Sequence, residues 1–217
     1  MARAAKASST EGQSSRGCRP RQGASEDDRR VLASHAVKPP YLLFVGGYDR
    51  HKNVEALVAA FSKLAHPGHQ LVLVADHQWR FTDLYRAWQA LPGFDRLRCI
   101  EVDPGDVPAL YRNAEVCVVP SLWDSFGLQL VESMACATPV VASNLPAFRE
   151  VGGDAILTFD PRSHAADLAA LLDRVLDDDQ LREHLRERGL ERAASYSWDR
   201  TADQTVAIYR DVVGAGR

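Results

Sequence analysis

No apolar run in this sequence approaches the ~20 consecutive residues that a helix needs to cross a bilayer, so a transmembrane segment is excluded. Cysteine is scarce. Cys18, Cys99, Cys117 and Cys136 lie far apart, without a Cys-x-x-Cys spacing or a Cys/His pairing, which argues against a zinc module. They read as buried thiols of a reducing compartment, the cytoplasm, with peripheral contact at a membrane surface left open. His66 and His69, in the stretch HPGH, have no third ligand type beside them and read as a polar turn rather than a metal pair. A basic excess is missing too. Residues 1–25 carry five basic groups against one acid, so the overall charge of −3 leaves the body near −7, which argues against a nucleic-acid partner. The first thirty residues contain no Val, Leu, Ile, Phe, Tyr or Trp. With nothing to bury they form neither a signal peptide nor the amphipathic face of a transit peptide, and they are expected to be a disordered basic extension over 1–30.

What is present, from Val31 onward, is an alternation of short apolar runs with stretches of helical period. At 217 residues the chain has room for one large core and not for two full-sized α/β domains. YLLFVG (41–46), LVLVA (71–75), CIEV (99–102), VCVVP (116–120), PVVAS (139–143) and AILTF (155–159) are almost continuously apolar, as strands covered on both faces must be. Between them lie helices, the clearest over 53–65, where Val54, Leu57, Val58, Phe61 and Leu64 fall on one face. The expected fold is an α/β domain, a Rossmann-like parallel sheet with helices on both faces. After Asp160 the strands stop and three helical stretches follow. The run Asp177-Asp178-Asp179 reads as a helix start, where acids favour the dipole and can cap, rather than as a cation site.

Ligands of open parallel sheets bind outside the carboxyl ends of the strands, and two loops there stand out. GGYDRHKN (46–53) places Gly46 and Gly47 after a strand and Arg50, His51 and Lys52 before a helix. This suits a phosphate, held by close-approaching backbone, a helix start and a lysine; an ordinary turn with a solvated lysine is the alternative. The loop is neither a Walker loop nor a Gly-x-Gly-x-x-Gly fingerprint, which weighs against a dinucleotide-binding domain. The second loop, PSLWDSFGLQLVE, sets Asp124 before the N–H groups of Phe126, Gly127 and Leu128, with Glu132 eight positions after Asp124. Two carboxylates beside an anion site repel the anion unless each accepts from hydroxyls, such as those of sugars; a capping Asp124 and a solvated Glu132 are the alternative.

The ordered blocks FVGGYDRHKN, ALYRNAEVCVVPS, DSFGLQLVE, SMACATPVVASNLPAFREVGGDAIL and YSWDRTA resemble the C-terminal, donor-binding half of retaining GT-B glycosyltransferases of the family 4 group, from about Pro40 to about Tyr209. The resemblance implies a single GT-B half-domain, a nucleotide-sugar-binding domain over 31–217, ending in C-terminal helices. It implies hexosyl transfer from a nucleotide-sugar such as a GDP- or UDP-hexose, with retention and no cofactor or obligatory metal. Lys52 would bind the diphosphate beside the Gly46 and Gly47 backbone. Asp124 would meet the hexose hydroxyls, with Ser125 next to it and the N–H groups of Phe126, Gly127 and Leu128 holding sugar and phosphate. Glu132 would take the ribose hydroxyls, and the base would lie near Glu101 and Val102.

The sequence departs from the family pattern at named places. Asp124 stands for a glutamate, Ser125 and Ala137 for glycines, Gly47 for an arginine that many members carry, and His51 for an arginine before the lysine; Arg50 is the candidate replacement. Family members also carry an N-terminal acceptor domain, for which only ~40 mostly polar residues precede the first strand. The expected partners are therefore a nucleotide-sugar and the missing acceptor domain or a partner chain, with self-association through an exposed last helix bearing Trp198, Val206, Ile208 and Tyr209. A catalytically silent binding or assembly module of the same fold is the rival reading.

Overall fold

The computed structural model describes residues 24–75 and 83–214. Residues 1–23, with Cys18, lie outside the described part. The first helix, α1, spans Glu26–Ser34, so the extension expected over 1–30 does not reach residue 30. Sequence composition misled there because α1 is begun by polar groups: Ser25 Oγ accepts from Asp28 N at 3.0 Å, and three acids occupy the first turn, where the dipole favours them.

Six strands form one parallel sheet: β1 Tyr41–Val45, β2 Gln70–Val74, β3 Leu97–Ile100, β4 Val116–Val119, β5 Val140–Ser143 and β6 Ile156–Phe159. Their order is β3-β2-β1-β4-β5-β6. All six apolar runs are strands. The third begins two residues before the run CIEV, because Leu97 and Arg98 pair with Leu71 and Val72 while Glu101 and Val102 fall beyond the ladder. Arg98 is tolerated on this outer strand, its guanidinium donating to the carbonyls of Asp95 and Leu97.

Strand alternation divides the core in two. Tyr41 and Leu43 face one cluster with Leu110, Tyr111, Leu130, Met134 and Phe148; Leu42 and Phe44 face another with Leu57, Phe61, Trp88, Leu168 and Leu172. The first face is covered by α1, α4 (Val107–Asn113), α5 (Leu128–Ala135) and α6 (Pro146–Gly152). The second is covered by α2 (Val54–Phe61), α3 (Asp83–Gln89) and α7 (Ala165–Asp177). Helix α8, Asp179–Ala193, starts at Asp178, whose side chain accepts from Leu181 N at 2.8 Å, so Asp178 and Asp179 form a helix start while Asp177 ends α7. Helix α9, Trp198–Gly214, has no buried residue. Cys99 and Cys117 are buried free thiols, and the Cys136 side chain is buried too. No helix among the described residues is long and apolar enough to cross a membrane.

Candidate functional site

The strand order reverses between β1 and β4, so the loops that follow them diverge around one crevice at the carboxyl end of the sheet. These are the two loops that the sequence singled out. They touch at several points. Leu122 N donates to His51 O at 2.7 Å, the His51 and Trp123 rings stack at 4.7 Å, and Lys52 Nζ donates to Asp124 Oδ2 at 2.8 Å.

Lys52 ends a single 3-10 turn, Arg50–Lys52, closed by its own N–H to Asp49 O at 2.7 Å. The Lys52 and Asp124 side chains are 18% and 14% exposed, sheltered enough for their attraction to act at reduced dielectric. Burial pushes the Asp124 carboxyl up. The Lys52 ammonium and the N–H groups of Phe126 and Ser125 pull it down and prevail, holding it below the ordinary range as an anion. Phe126 N–H is thereby engaged, donating to Asp124 Oδ1 at 3.2 Å. It is not open to a ligand as the sequence suggested, because the short Asp124 side chain folds back on its own loop.

Gly127 is the N-cap of α5 with φ 86°, a left-handed conformation that favours glycine, and a Cβ there would lie 2.6 Å from the Phe148 ring. No side chain caps α5. Leu130 N bonds to Gly127 O, while the N–H groups of Leu128 and Gln129 have no intrahelical acceptor, leaving donors and a positive dipole end beside Asp124. Ser125, Phe126 and Leu128 are exposed around this helix start.

Glu132 is exposed on α5 and accepts from Tyr111 Oη at 2.9 Å. Burial, with the neighbouring Cys117 and Glu132, raises the Tyr111 hydroxyl well above its usual pKa, so it stays a donor; burial likewise pushes the Cys117 thiol up to about 12. Gly46 continues the β1–β2 ladder through its N–H to Val74 O, and Gly47 is exposed, with Asp49 Oδ2 3.2 Å from where a Cβ would sit. Arg50 is exposed and forms no ion pair among the described residues. Glu101 and Val102 follow β3, on the far side of β2; Val102 packs on the core cluster that also holds Leu130, and Glu101 is exposed.

The structure thus joins Lys52, Asp124 and the start of α5, and sets Glu132 one helical turn further on. Sequence reading passed over Asn53, whose amide spans three loops, and Tyr111, which an apolar helix disguised as pure core. The usable signal for Asn53 was a polar residue with a tolerance for left-handed backbone directly before an apolar helix. Among the described residues no group of three or more His, Cys, Asp or Glu is placed to hold a metal ion.

The family model for glycosyl transferases group 1 matches residues 25–192. The chain is 36% identical over 200 residues to phosphatidyl-myo-inositol mannosyltransferase of Mycolicibacterium smegmatis, covering 89% of this chain and 50% of that protein. It spans about half the length of the curated relatives that it matches. Among solved structures, sucrose-phosphate synthase of Thermosynechococcus elongatus matches with a TM-score of 0.72 and 31% identity, over 86% of this chain and 49% of that one. The C-terminal domain of a glycosyl transferase group 1 family protein of Francisella tularensis matches in fold, with a TM-score of 0.68 and 20% identity, over 85% of this chain and 97% of that domain. Matched by that model over most of its length and sharing the fold of these structures, the chain belongs to the glycosyl transferases group 1 family and forms a C-terminal GT-B domain of it.

Proposed function

We propose that this domain is the donor-binding half of a retaining glycosyltransferase that moves a hexosyl group from a nucleoside-diphosphate sugar. The observation that carries the reading is the convergence of Lys52 with the uncapped start of α5 at the switch point, a cation and free backbone donors facing one crevice. When the glycosidic bond to phosphate breaks, negative charge grows on the departing diphosphate. Lys52, the Gly47 backbone and the α5 dipole stabilise that charge, with Arg50 as a second cation and no metal required, while the Gly46 N–H stays in the sheet ladder. Asp124 accepts from hexose hydroxyls, and Glu132, already an acceptor for Tyr111, takes the ribose hydroxyls. The base lies against the loop at Glu101 and Val102. The relatives' names support hexosyl chemistry: one is a mannosyltransferase, another a sucrose-phosphate synthase. The acceptor is held outside this domain, by a further domain or a partner chain.

Calorimetric titration with UDP, GDP, their hexose-linked forms and the bare nucleosides tests this. One base is expected to bind as diphosphate and as nucleotide-sugar, and Lys52→Ala should weaken both by about 1–3 kcal/mol, the range for a charge-assisted bond to phosphate, while leaving nucleoside affinity unchanged. Equal losses for nucleoside and diphosphate would make Lys52 structural. Binding of none of these ligands would favour a silent module.

A further inference from the structure

Lys52 is useful to a diphosphate only if its loop holds still, and the residue after it has the geometry to ensure that. Asn53 sits at φ 54°, ψ 38°, a left-handed turn between the 3-10 turn and α2 that asparagine tolerates better than other side-chain-bearing residues. It is not spent on capping α2. Its Nδ2 instead donates to Pro120 O at 3.1 Å and to Pro161 O at 3.3 Å. Pro120 is buried and opens the loop that carries Asp124; Pro161 lies in the loop after β6. A buried carbonyl deprived of its donor is costly, so this amide is a fixed point rather than a casual surface contact.

We infer that Asn53 is a positioning residue of the donor site: it locks the loops after β1, β4 and β6 into one unit and so sets Lys52 opposite the start of α5. The inference rests on the donor-site reading of Lys52 for its consequence, though not for the clamp itself. Three contacts between the first two loops run in sequence beside it: Leu122 N–H to His51 O, the His51 ring on Trp123, and Lys52 with Asp124. Without the clamp, the loops after β1 and β4 keep the Leu122–His51 bond, the His51–Trp123 stack and the Lys52–Asp124 pair but lose the amide that ties them to each other and to the loop after β6, so they open more often and each opened state must be closed again before a phosphate is held.

The test uses the whole chain with Asn53→Gly, which keeps the left-handed backbone and deletes both donors, and Asn53→Asp, which keeps the shape and turns donors into acceptors facing two carbonyls. Amide hydrogen exchange at Leu122 and at the β1 and β4 strands is read together with UDP, GDP and nucleoside affinities. In both variants exchange at Leu122 should accelerate about tenfold, the factor for losing a hydrogen bond or two, with the strands unchanged. Diphosphate affinity should fall by a similar factor, more in Asn53→Asp, with nucleoside affinity unmoved. Unchanged exchange at Leu122 overturns the clamp. Equal loss of nucleoside and diphosphate affinity, or faster exchange throughout the strands, also overturns it, since Asn53 would then merely stabilise the fold. If the unaltered chain binds no diphosphate, the donor-site reading fails separately, and exchange at Leu122 alone decides whether Asn53 locks the loops.

Discussion

Asp124 answers to two partners. It is the acceptor for a sugar in the proposed function, yet it holds the ammonium that a diphosphate needs, at 2.8 Å. A phosphate entering the crevice meets a lysine already paired with a carboxylate kept ionised by that same pairing. Asp124→Asn should therefore strengthen nucleoside-diphosphate binding several-fold by removing an anionic competitor, a gain of about 1 kcal/mol for a partly sheltered pair. The nucleotide-sugar should gain less, because it loses a strong acceptor for its hydroxyls, so the ratio of sugar-bearing to bare diphosphate affinity falls. Titration of both ligands checks the ratio; a rise would assign the sugar contact elsewhere. Gly127 makes a second demand. Alanine there would force a left-handed conformation and push a methyl into the buried Phe148 ring, so Gly127→Ala should cost about 2–4 kcal/mol in denaturant unfolding. Lys52, Asp124 and Gly127 were legible in the sequence because each stands in the loop, or at the helix start, that directly follows a strand. What was not legible was their mutual state, since the pairing of residues 72 positions apart depends on strand order.

At the scale of elements, six apolar runs announced six strands, because a parallel strand buried on both faces leaves little room for polar residues. Helix α1 shows where that logic stops. Its buried apolar residues are only Val31 and Leu32, and what seats it is polar: Asp28, 3% exposed, accepts from Arg112 Nη2 at 2.5 Å and Nε at 3.2 Å, and from Asn113 Nδ2 at 3.2 Å. Composition cannot disclose a helix held by one side chain reaching another 84 positions away. Burial raises the Asp28 carboxyl, and Arg112, Asn113 and the Ser25 hydroxyl outweigh it, leaving the group below its ordinary 3.8. A carboxyl lowered by folding contributes stability above its unfolded value and loses it as pH falls through the folded one. Docking of α1 should thus be constant from neutral pH to about pH 5 and weaken only below 3.8, as followed by exchange at Val31 and Leu32. Asp28→Asn should loosen α1 at neutral pH by about 2–3 kcal/mol, because the Arg112 side chain is left without its counter-charge. Detachment of α1 near pH 6 would mean that another group governs the contact.

For the whole molecule, the chain order of apolar runs implied a doubly wound sheet but not its strand order, since β1 and β4 are alike in composition and only right-handed crossovers in two directions place them side by side. The same sheet explains what lies outside it. Once both faces are covered, α9 has no core left to join: Trp198, Val206, Ile208, Tyr209, Val212 and Val213 are 44–70% exposed. Among the described residues the last firm attachment is Tyr196, whose hydroxyl donates to Val151 O at 3.1 Å and whose ring meets Phe126 edge-on at 5.8 Å. Removal of residues from Trp198 onward should therefore leave the melting temperature within about 2 °C of the uncut chain, because α9 contributes no buried residue to the core. Binding of an apolar dye and any self-association should drop in the cut chain, since the large exposed apolar side chains of α9 go with it. Calorimetry beside light scattering reads both. A fall of more than about 5 °C on truncation would show that in solution α9 folds against the domain and shields apolar surface that the core needs.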